Sequence, residues 1–203
     1  MSIPFQDSET AKNLLRAFAG ESQARNRYDF AANLCQKQEL QAMAFIFQAT
    51  AKQEQAHAKV FWDHLQALNG QNLPIYGAYP IEGTNRILEL LRAAQHNEHE
   101  EHGSVYPSFA AIAAQEGFPE AAASFRQIAA IEQLHGERFG LLADQLESGA
   151  LFVSQIETGW MCLNCGHTQN SLEAPKQCPV CNHGQGWFIR LELAPWSPVV
   201  KQT

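Results

Sequence analysis

The sequence predicts a mainly α protein, in which a four-helix bundle is followed by a small β module that a metal stabilises. Residues 8–149 hold four long segments whose apolar residues recur at alternating steps of three and four, the spacing of the inward face of a bundled helix. After Gly149 this pattern stops, and short β-like runs such as Trp187-Phe188-Ile189 alternate with glycine-containing turns. Two Cys-x-x-Cys pairs lie in the same C-terminal stretch, which is too small to fold around a conventional core without a metal.

Capping residues and helix breakers set the expected ends of the helices. The four helices are expected at about residues 8–37, 39–69, 84–117 and 119–149. Asp7 or Ser8 is the candidate N-cap of the first helix and Thr84 that of the third, while Pro119 suits the first turn of the fourth. Pro107 should kink the third helix, because proline removes one backbone hydrogen bond. Two short turns and one long crossover are typical of a ferritin-like bundle.

Composition excludes several classes of function. The chain has 203 residues, of which 45% are hydrophobic, so a sizeable core can be buried. The formal net charge is −7 and the Lys and Arg residues are scattered, which argues against a nucleic-acid-binding surface. The longest apolar runs, such as residues 42–47, are too short to cross a membrane, and the N-terminus lacks a basic region followed by an apolar stretch. We therefore expect a cytoplasmic protein that binds neither nucleic acid nor membranes.

The predicted inward stripes are apolar or small along most of their length and ionisable at their middle. They consist of Leu14, Phe18, Glu21, Arg25, Tyr28, Ala32 and Cys35; Phe47, Thr50, Glu54, His57, Phe61, His64 and Leu68; Leu91, Ala94, Glu98, Glu101, Val105, Ser108 and Ile112; and Phe125, Ile128, Glu132, His135, Phe139, Leu142 and Leu146. Carboxylates buried in a bundle core are costly unless they are paired. Two divalent cations would nearly balance the charge of the five stripe carboxylates.

Two of the helices carry the motif Glu-x-x-His. Glu54 with His57, and Glu132 with His135, are spaced i,i+3, which puts both side chains of each pair on one helix face. With carboxylates from the other two helices, this is the ligand pattern of di-iron carboxylate bundles. Such oxygen-rich ligand sets suit iron or manganese better than soft metals. A single motif of this kind usually marks a solvated helix face. Two such motifs together with Glu21 and Glu98, all at the middle of four stripes, are hard to obtain by chance. The remaining ionisable residues of the third helix are expected to face solvent: His96, His99, Glu100 and His102.

The C-terminal cysteines predict a second metal site. Cys162, Cys165, Cys178 and Cys181 form two Cys-x-x-Cys pairs, a strong signal for tetrahedral coordination by four thiolates. In a reducing compartment such pairs bind metal more often than they form disulfides. The pattern alone leaves zinc and iron open and makes zinc the commoner occupant. The composition change places a bundle domain at residues 1–150 and a cysteine module at residues 156–203.

The whole set of motifs resembles the rubrerythrin family, in which a ferritin-like di-iron domain precedes a rubredoxin-like domain. The resemblance covers almost the whole chain. Its motifs are Ala19-Gly20-Glu21-Ser22, Glu54-x-x-His57, Glu98-x-x-Glu101 followed by Tyr106-Pro107, Glu132-x-x-His135 and the four cysteines. The resemblance implies two non-haem irons in the bundle. It also changes the metal expected at the four cysteines from zinc to a single iron. Asn182 stands where simple rubredoxins have glycine, which weakens that part of the likeness slightly.

The resemblance also implies roles for individual residues. Glu54 and Glu98 would bridge the irons, and Glu132 and His135 would bind one of them. Glu21 and Glu101 would bind the other iron, with His57 as an alternative ligand when the oxidation state changes. Tyr28 and Tyr106 would donate hydrogen bonds to site carboxylates.

The function that the resemblance implies is reduction of hydrogen peroxide to water, a defence against oxidative stress. The seven bundle residues would be catalytic, and the cysteine-bound iron would return electrons to them. No GxGxxG fingerprint occurs, so NADH would act through a reductase or a rubredoxin-type donor protein. The family usually forms homodimers in which the cysteine site of one chain approaches the bundle site of the other.

Two other functions remain open from the sequence. One is a ferritin-like ferroxidase or iron-binding protein, which would not explain the attached cysteine module. The other is a non-enzymatic metal-binding protein with structural zinc at the four cysteines. Metal analysis and a visible spectrum distinguish these possibilities.

Overall fold

The computed structural model describes residues 3–194 and contains a helical bundle followed by a three-stranded sheet. The predicted fold class is therefore confirmed. Residues 195–203, the end of the expected cysteine module, lie outside the described residues, as do Met1 and Ser2. The division into domains near residue 150 stays a prediction. In residues 3–194, none of the helices combines the length and apolar character that a membrane crossing needs.

The helices and strands follow one another in the predicted order. They are α1 (Glu9–Lys37), α2 (Gln41–His64), α3 (Ile87–Glu100), a π-helix (Glu101–Val105), α4 (Tyr106–Glu116), α5 (Pro119–Glu147), β1 (Val153–Cys162), β2 (Thr168–Glu173) and β3 (Phe188–Arg190). Because α3, the π-helix and α4 run on continuously, the bundle has four members. A crossover, residues 69–86, joins α2 to α3.

The helix ends are partly as predicted. Ser8 is the N-cap of α1, and its side chain accepts a hydrogen bond from the backbone N–H of Ala11 at 3.0 Å. Thr84 was the wrong choice for α3, because the helix begins three residues later and Arg86 occupies the capping position. The hydroxyl of Thr84 instead accepts from the backbone N–H of Arg86 at 3.2 Å, in the last turn of the crossover. The second helix ends at His64, earlier than expected.

The predicted stripe of the third bundle member is wrong after Glu101. The π-helix inserts one residue, with the backbone N–H of Tyr106 bonded to the carbonyl of Glu101. The buried face of α4 is consequently Tyr106, Ala110 and Ala113, where the sequence pattern indicated Val105, Ser108 and Ile112. Pro107 accounts for the interruption, because it has no N–H to continue the α-helical ladder.

Arg25 is also wrongly placed on the inward stripe of α1. It is exposed, while its neighbour Ala24 is buried. A straight α-helix drifts by about 20° per heptad from a strict seven-residue repeat, so a long stripe leaves the core face.

Two apolar clusters lie on either side of the ionisable middle of the bundle. One contains Tyr28, Phe47 and Phe139, whose rings are 5.0–5.9 Å apart. The other contains Phe61 and Phe125, with ring centroids 5.1 Å apart. These clusters exclude water from above and below the polar layer, which raises the cost of leaving its charges unpaired.

The C-terminal sheet has the order β2-β1-β3, with both pairs antiparallel. It packs on the turn between α1 and α2, where Met161 and Ile189 join the same apolar cluster as Phe47. At Gly186 the two parts of the chain touch, because a Cβ there would collide with the carbonyl oxygen of Glu39. The module therefore lies at one end of the bundle.

Candidate metal centres

The helices bring six of the seven predicted bundle ligands together. Among the described residues of the bundle, two groups have ligand atoms within 4.8 Å of one another: Glu21, Glu54, His57 and Glu132; and Glu54, Glu98, Glu132 and His135. All six residues are buried. Two adjoining groups of four ligands that share two carboxylates are what a two-metal site requires.

The carboxylates that both groups share, Glu54 and Glu132, contact both imidazoles. Nδ1 of His57 lies 2.9 Å from Glu132 Oε1 and 3.2 Å from Glu54 Oε2. Nδ1 of His135 lies 2.8 Å from Glu132 Oε2 and 3.1 Å from Glu54 Oε1. Glu98 approaches His135 alone, at 3.8 Å. The assignment of Glu54 and Glu98 as the carboxylates that bridge two metals therefore stays a prediction.

Several buried polar atoms of the cluster make no hydrogen bond. In residues 3–194 they are Glu21 Oε2, Glu54 Oε1, Glu98 Oε2, both Oε atoms of Glu132 and Nδ1 of His135. Buried polar atoms without partners are rare in folded proteins and call for an explanation. All six atoms are electron-pair donors that point into one layer, so a pair of divalent cations fits them.

The pKa values show how strongly this layer attracts positive charge. Burial raises the pKa of Glu21 and Glu98 well above the usual range of a carboxyl. Burial has the same tendency at Glu132, but the close imidazoles of His135 and His57 outweigh it and lower the pKa to about 2. Burial disfavours the charged form of His57, yet Glu132, Glu21 and Glu54 together raise its pKa to about 12. Divalent cations would supply the charge that the imidazoles carry here.

Two tyrosines donate hydrogen bonds to the cluster, each from an apolar cluster next to it. The hydroxyl of Tyr28 donates to Glu98 Oε1, and that of Tyr106 donates to Glu21 Oε1. The shift in register at the π-helix turns Tyr106 inward, toward α1. These bonds leave one oxygen of each carboxylate available to a metal.

Glu101 is the predicted ligand that stands apart. It begins the π-helix, is half-buried and belongs to neither ligand group. Burial and the neighbouring charges of Glu21 and Glu98 nevertheless raise its pKa well above the usual range. Glu101 therefore lies beside the cluster without entering it.

Sequence reasoning missed Gln53, which contacts a ligand from another helix. Its side-chain oxygen lies 2.9 Å from Nε2 of His135 and can accept a hydrogen bond from it. A proton held at Nε2 leaves Nδ1 free to face Glu132 and Glu54. No pattern within α2 could have identified Gln53, because its partner lies 82 positions away in the chain.

The ionisable residues beside Glu98 take no part in the cluster. His96, His99 and Glu100 are exposed, and His102 is half-buried with Nδ1 at 2.9 Å from the carbonyl oxygen of Ala129. Cys35 is buried in the apolar core, and burial raises the pKa of its thiol to about 12. It fills space there.

The four C-terminal cysteines converge on one point. Sγ of Cys162 lies 3.7 Å from Sγ of Cys181, and Sγ of Cys165 lies 3.6 Å from Sγ of Cys178. A disulfide would need about 2.05 Å. A tetrahedral metal with bonds of about 2.3 Å to sulfur separates its ligands by about 3.8 Å. The four sulfurs thus fit a tetrahedral metal ion.

Both cysteine turns have the same backbone form. The backbone N–H of Cys162 donates to the carbonyl of His167, and that of Cys178 donates to the carbonyl of His183, each at 2.8 Å. The residue after each pair has a positive φ, which is 78° at Gly166 and 60° at Asn182. Asparagine is one of the few residues that tolerate this left-handed conformation, so its presence in place of glycine preserves the turn.

The turns also prepare the sulfurs as ligands. The backbone N–H of His183 donates to the sulfur of Cys181 and lowers the pKa of its thiol to about 5. Burial raises the pKa of the Cys162 thiol to about 12. A metal bound to all four sulfurs would displace the proton from Cys162, as metals do from thiols that ligate them.

Comparisons with known proteins cover both centres. The model of the family described as Rubrerythrin matches residues 12–143, and that described as Rubrerythrin, rubredoxin-like domain matches residues 160–189. The chain is 44% identical to a rubrerythrin of Porphyromonas gingivalis over 93% of this chain and 92% of the relative. It is 42% identical to a rubrerythrin of Clostridium perfringens over 89% and 93%. A solved structure described as "Fully reduced state of nigerythrin (all ferrous)" superimposes with a TM-score of 0.60 at 25% identity, covering 91% of this chain and 90% of that one.

Proposed function

Because the chain belongs to the rubrerythrin family, we propose that it reduces hydrogen peroxide to water at its bundle site. The observation that carries this proposal is the pair of ligand groups that share Glu54 and Glu132 in a buried layer. A two-metal site can hold both oxygens of a peroxide at once, which a single ion with the same ligands cannot do as readily.

Iron is the metal that we propose for both centres. The bundle ligands are mostly carboxylates with two imidazoles, which suits iron, and a relative of similar fold is described as all ferrous. A ferrous pair would supply the two electrons that cleave the O–O bond. The ligands of this pair would be Glu21, Glu54, His57, Glu98, Glu132 and His135. Glu101 would be a further ligand from the side.

The chain's own side chains prepare this chemistry in three ways. The apolar clusters around Phe47 and Phe61 keep bulk water away from the polar layer. The hydroxyls of Tyr28 and Tyr106 hold Glu98 and Glu21 in fixed orientations. Gln53 holds the proton of His135 at Nε2. Preorganised groups of this kind need little rearrangement during the reaction.

The cysteine module would return electrons to the bundle one at a time. Its four sulfurs stand in a nearly tetrahedral arrangement on two rigid turns, so a bound iron could change oxidation state with little movement. An external reductase or rubredoxin-type protein would reduce it, with NADH as the ultimate donor. The exposed cysteine, Cys165, provides the accessible side of this centre.

The geometry of one chain favours transfer between two chains. The module meets the bundle at Glu39, and α2 rises from Gln41 for 13 residues to Glu54, about 20 Å at 1.5 Å per residue. Electrons tunnel slowly through protein over such a distance. We therefore propose a homodimer in which the cysteine module of one protomer serves the bundle of its partner.

Metal content and turnover test this proposal together. Protein isolated from iron-replete cells should hold about three irons per chain, from two bundle ligand groups and one cysteine site, and should be red. With a reducing partner protein and NADH, it should consume hydrogen peroxide catalytically. A colourless protein with zinc at the cysteines would contradict the electron-transfer role. An iron-loaded protein that consumes oxygen but no peroxide would indicate a ferroxidase instead.

A further inference from the structure

A cavity of about 230 Å³ lies between the crossover and the bundle, next to Glu101. Residues 77–80 of the crossover form its outer wall, and Ala17 and Gly20 of α1 form one side. Its inner wall includes Glu101 and Tyr106. Since the Tyr106 hydroxyl donates to Glu21, Tyr106 contacts both the cavity and the ligand cluster.

The cavity is larger than hydrogen peroxide needs. An apolar cavity of about 150 Å³ in another protein holds benzene, so 230 Å³ accommodates a small ring or a branched alkyl group. Its lining combines the polar side chains of Arg16, Asn97, Glu100 and Glu101 with apolar side chains such as Val105 and Phe109. This combination suits a molecule with a polar end and an apolar body.

The crossover is held firmly over this cavity. The hydroxyl of Tyr79 donates to the carbonyl oxygen of Arg16 at 3.0 Å, and Nε of Arg16 donates to the carbonyl oxygen of Tyr76 at 2.9 Å. The Tyr79 ring lies over Gly20, where a Cβ would be only 3.6 Å away. Gly20 directly precedes Glu21, so the ring is placed within one residue of a candidate ligand.

We propose that this cavity binds the organic group of small organic hydroperoxides, so that the protein reduces these as well as hydrogen peroxide. The inference rests on the proposed function of the bundle site. The O–O bond of ROOH breaks, two electrons from the reduced metal pair and two protons from solvent are consumed, and the products are the alcohol ROH and water. The external protein donor then restores the two electrons through the cysteine module.

The lining assigns a place to each part of this substrate. The hydroperoxide O–H donates a hydrogen bond to a side-chain oxygen of Glu101, which keeps the O–O bond on the side of the ligand cluster. The organic group lies against Val105 and Phe109. Ala78 and Tyr79, in the outer wall, limit its size.

Rapid mixing of the reduced protein with three peroxides tests the inference. Under anaerobic conditions, hydrogen peroxide, tert-butyl hydroperoxide and cumene hydroperoxide should each oxidise it. Calorimetric titration of the oxidised protein with cumyl alcohol, the product of cumene hydroperoxide, measures binding without turnover and should show a single site per chain.

Two variants of the outer wall should change size selectivity in opposite directions. Ala78→Phe fills the cavity and should lower the ratio of the cumene hydroperoxide rate to the hydrogen peroxide rate by about tenfold or more. Tyr79→Ala enlarges the cavity and should raise this ratio. Ile81→Phe is the matched control, because it adds a ring to the same crossover at a position that is 94% exposed and does not line the cavity.

The outcomes separate this inference from the proposed function. Oxidation by hydrogen peroxide but by neither organic hydroperoxide would overturn the inference and leave the proposed function standing. An unchanged rate ratio in both outer-wall variants would also overturn it. If no peroxide oxidises the protein, the proposed function fails. Cumyl alcohol binding that Ala78→Phe abolishes would then still support the cavity as a binding site, and absence of binding would refute it.

Discussion

At the residue scale, the bundle site depends on contacts that orient each ligand from outside the cluster. Three such side chains are Tyr28, Tyr106 and Gln53. Each forms one hydrogen bond with a candidate ligand that lies on a different helix or helix segment. Such contacts fix which atom of a carboxylate or imidazole faces the metal. They are therefore the positions at which a small substitution should change metal affinity without unfolding the bundle.

Gln53→Ala should weaken metal binding at the bundle site by about 10–100-fold, because His135 would no longer be held with its proton at Nε2. Titration of the metal-free protein with cobalt(II), followed by its visible absorption, measures the affinity. Gln55→Ala is the matched control, since Gln55 is exposed on the outer side of the same helix. Equal affinities in the two variants would show that Gln53 does not position His135.

His57 and Glu101 should affect different oxidation states of the same metal position. His57 lies inside the ligand cluster, whereas Glu101 lies beside it. His57→Phe should leave iron content in the oxidised protein nearly normal and slow the reaction of the reduced protein with peroxide. Glu101→Ala should instead weaken the ferric state, because a negative charge is lost, and raise the reduction potential of the pair. Stopped-flow oxidation together with iron counts in both states measures both effects. An unchanged rate in His57→Phe at full iron occupancy would rule out exchange between these ligands.

At the element scale, the start of α1 is held by the end of α4. The carboxylate of Glu116 accepts hydrogen bonds from the backbone N–H groups of Glu9 at 3.0 Å and Thr10 at 2.8 Å, and from the Thr10 hydroxyl at 2.5 Å. The first N–H groups of a helix have no partner within it, and a negative charge there also interacts favourably with the helix dipole. This one side chain thus joins the first and third members of the bundle.

Glu116→Ala should lower the free energy of unfolding by about 1 kcal/mol, as loss of a capping side chain does. Burial favours the neutral acid, but the bonds from Thr10 and Glu9 outweigh it and hold the pKa of Glu116 below 4.5. Its contribution should therefore be complete above pH 4.5 and decline as the pH falls through the lowered pKa. Urea denaturation between about pH 3 and about pH 7, on both sides of the usual carboxyl pKa of about 4.3, measures this dependence. Glu116→Gln, which keeps one acceptor oxygen, should lose less stability and most of the pH dependence. Parallel pH profiles for wild type and Glu116→Ala would contradict the assignment.

At the scale of the whole molecule, the two candidate metal sites lie at different levels along the bundle. The cysteine module packs on the turn between α1 and α2, whereas the bundle ligands lie in the middle of the helices. The long helices that bury the carboxylates are themselves the reason, because the C-terminal module packs at their end. A dimer that brings one protomer's module beside its partner's bundle would shorten the electron path without changing either centre.

Mixed dimers should reveal whether electrons pass between chains. One protomer would carry Cys178→Ser and keep its bundle, and the other would carry Glu132→Ala and keep its cysteines. Neither homodimer should turn over, whereas the mixed dimer should recover about half of the wild-type rate, since one of its two equivalent pairs is intact. Co-expression with two affinity tags isolates the mixed species. Failure of the mixed dimer to recover activity, with both remaining centres loaded, would place electron transfer within a single chain.

The sequence by itself determined the order of the helices, the layer of ionisable residues and the cysteine site, because these follow from local periodicity and spacing. Glu-x-x-His on a helix puts both side chains on one face whatever the helix packs against, and two Cys-x-x-Cys turns present their thiolates in the same way in any fold. Only the tertiary structure decided the features that join distant positions: the register shift that turns Tyr106 inward, the position of Glu101 beside the cluster, the contact from Gln53 to His135 and the cavity under the crossover. Each of these depends on how far one helix is rotated or displaced against another, and that is set by side-chain packing across the whole bundle, which no local pattern contains.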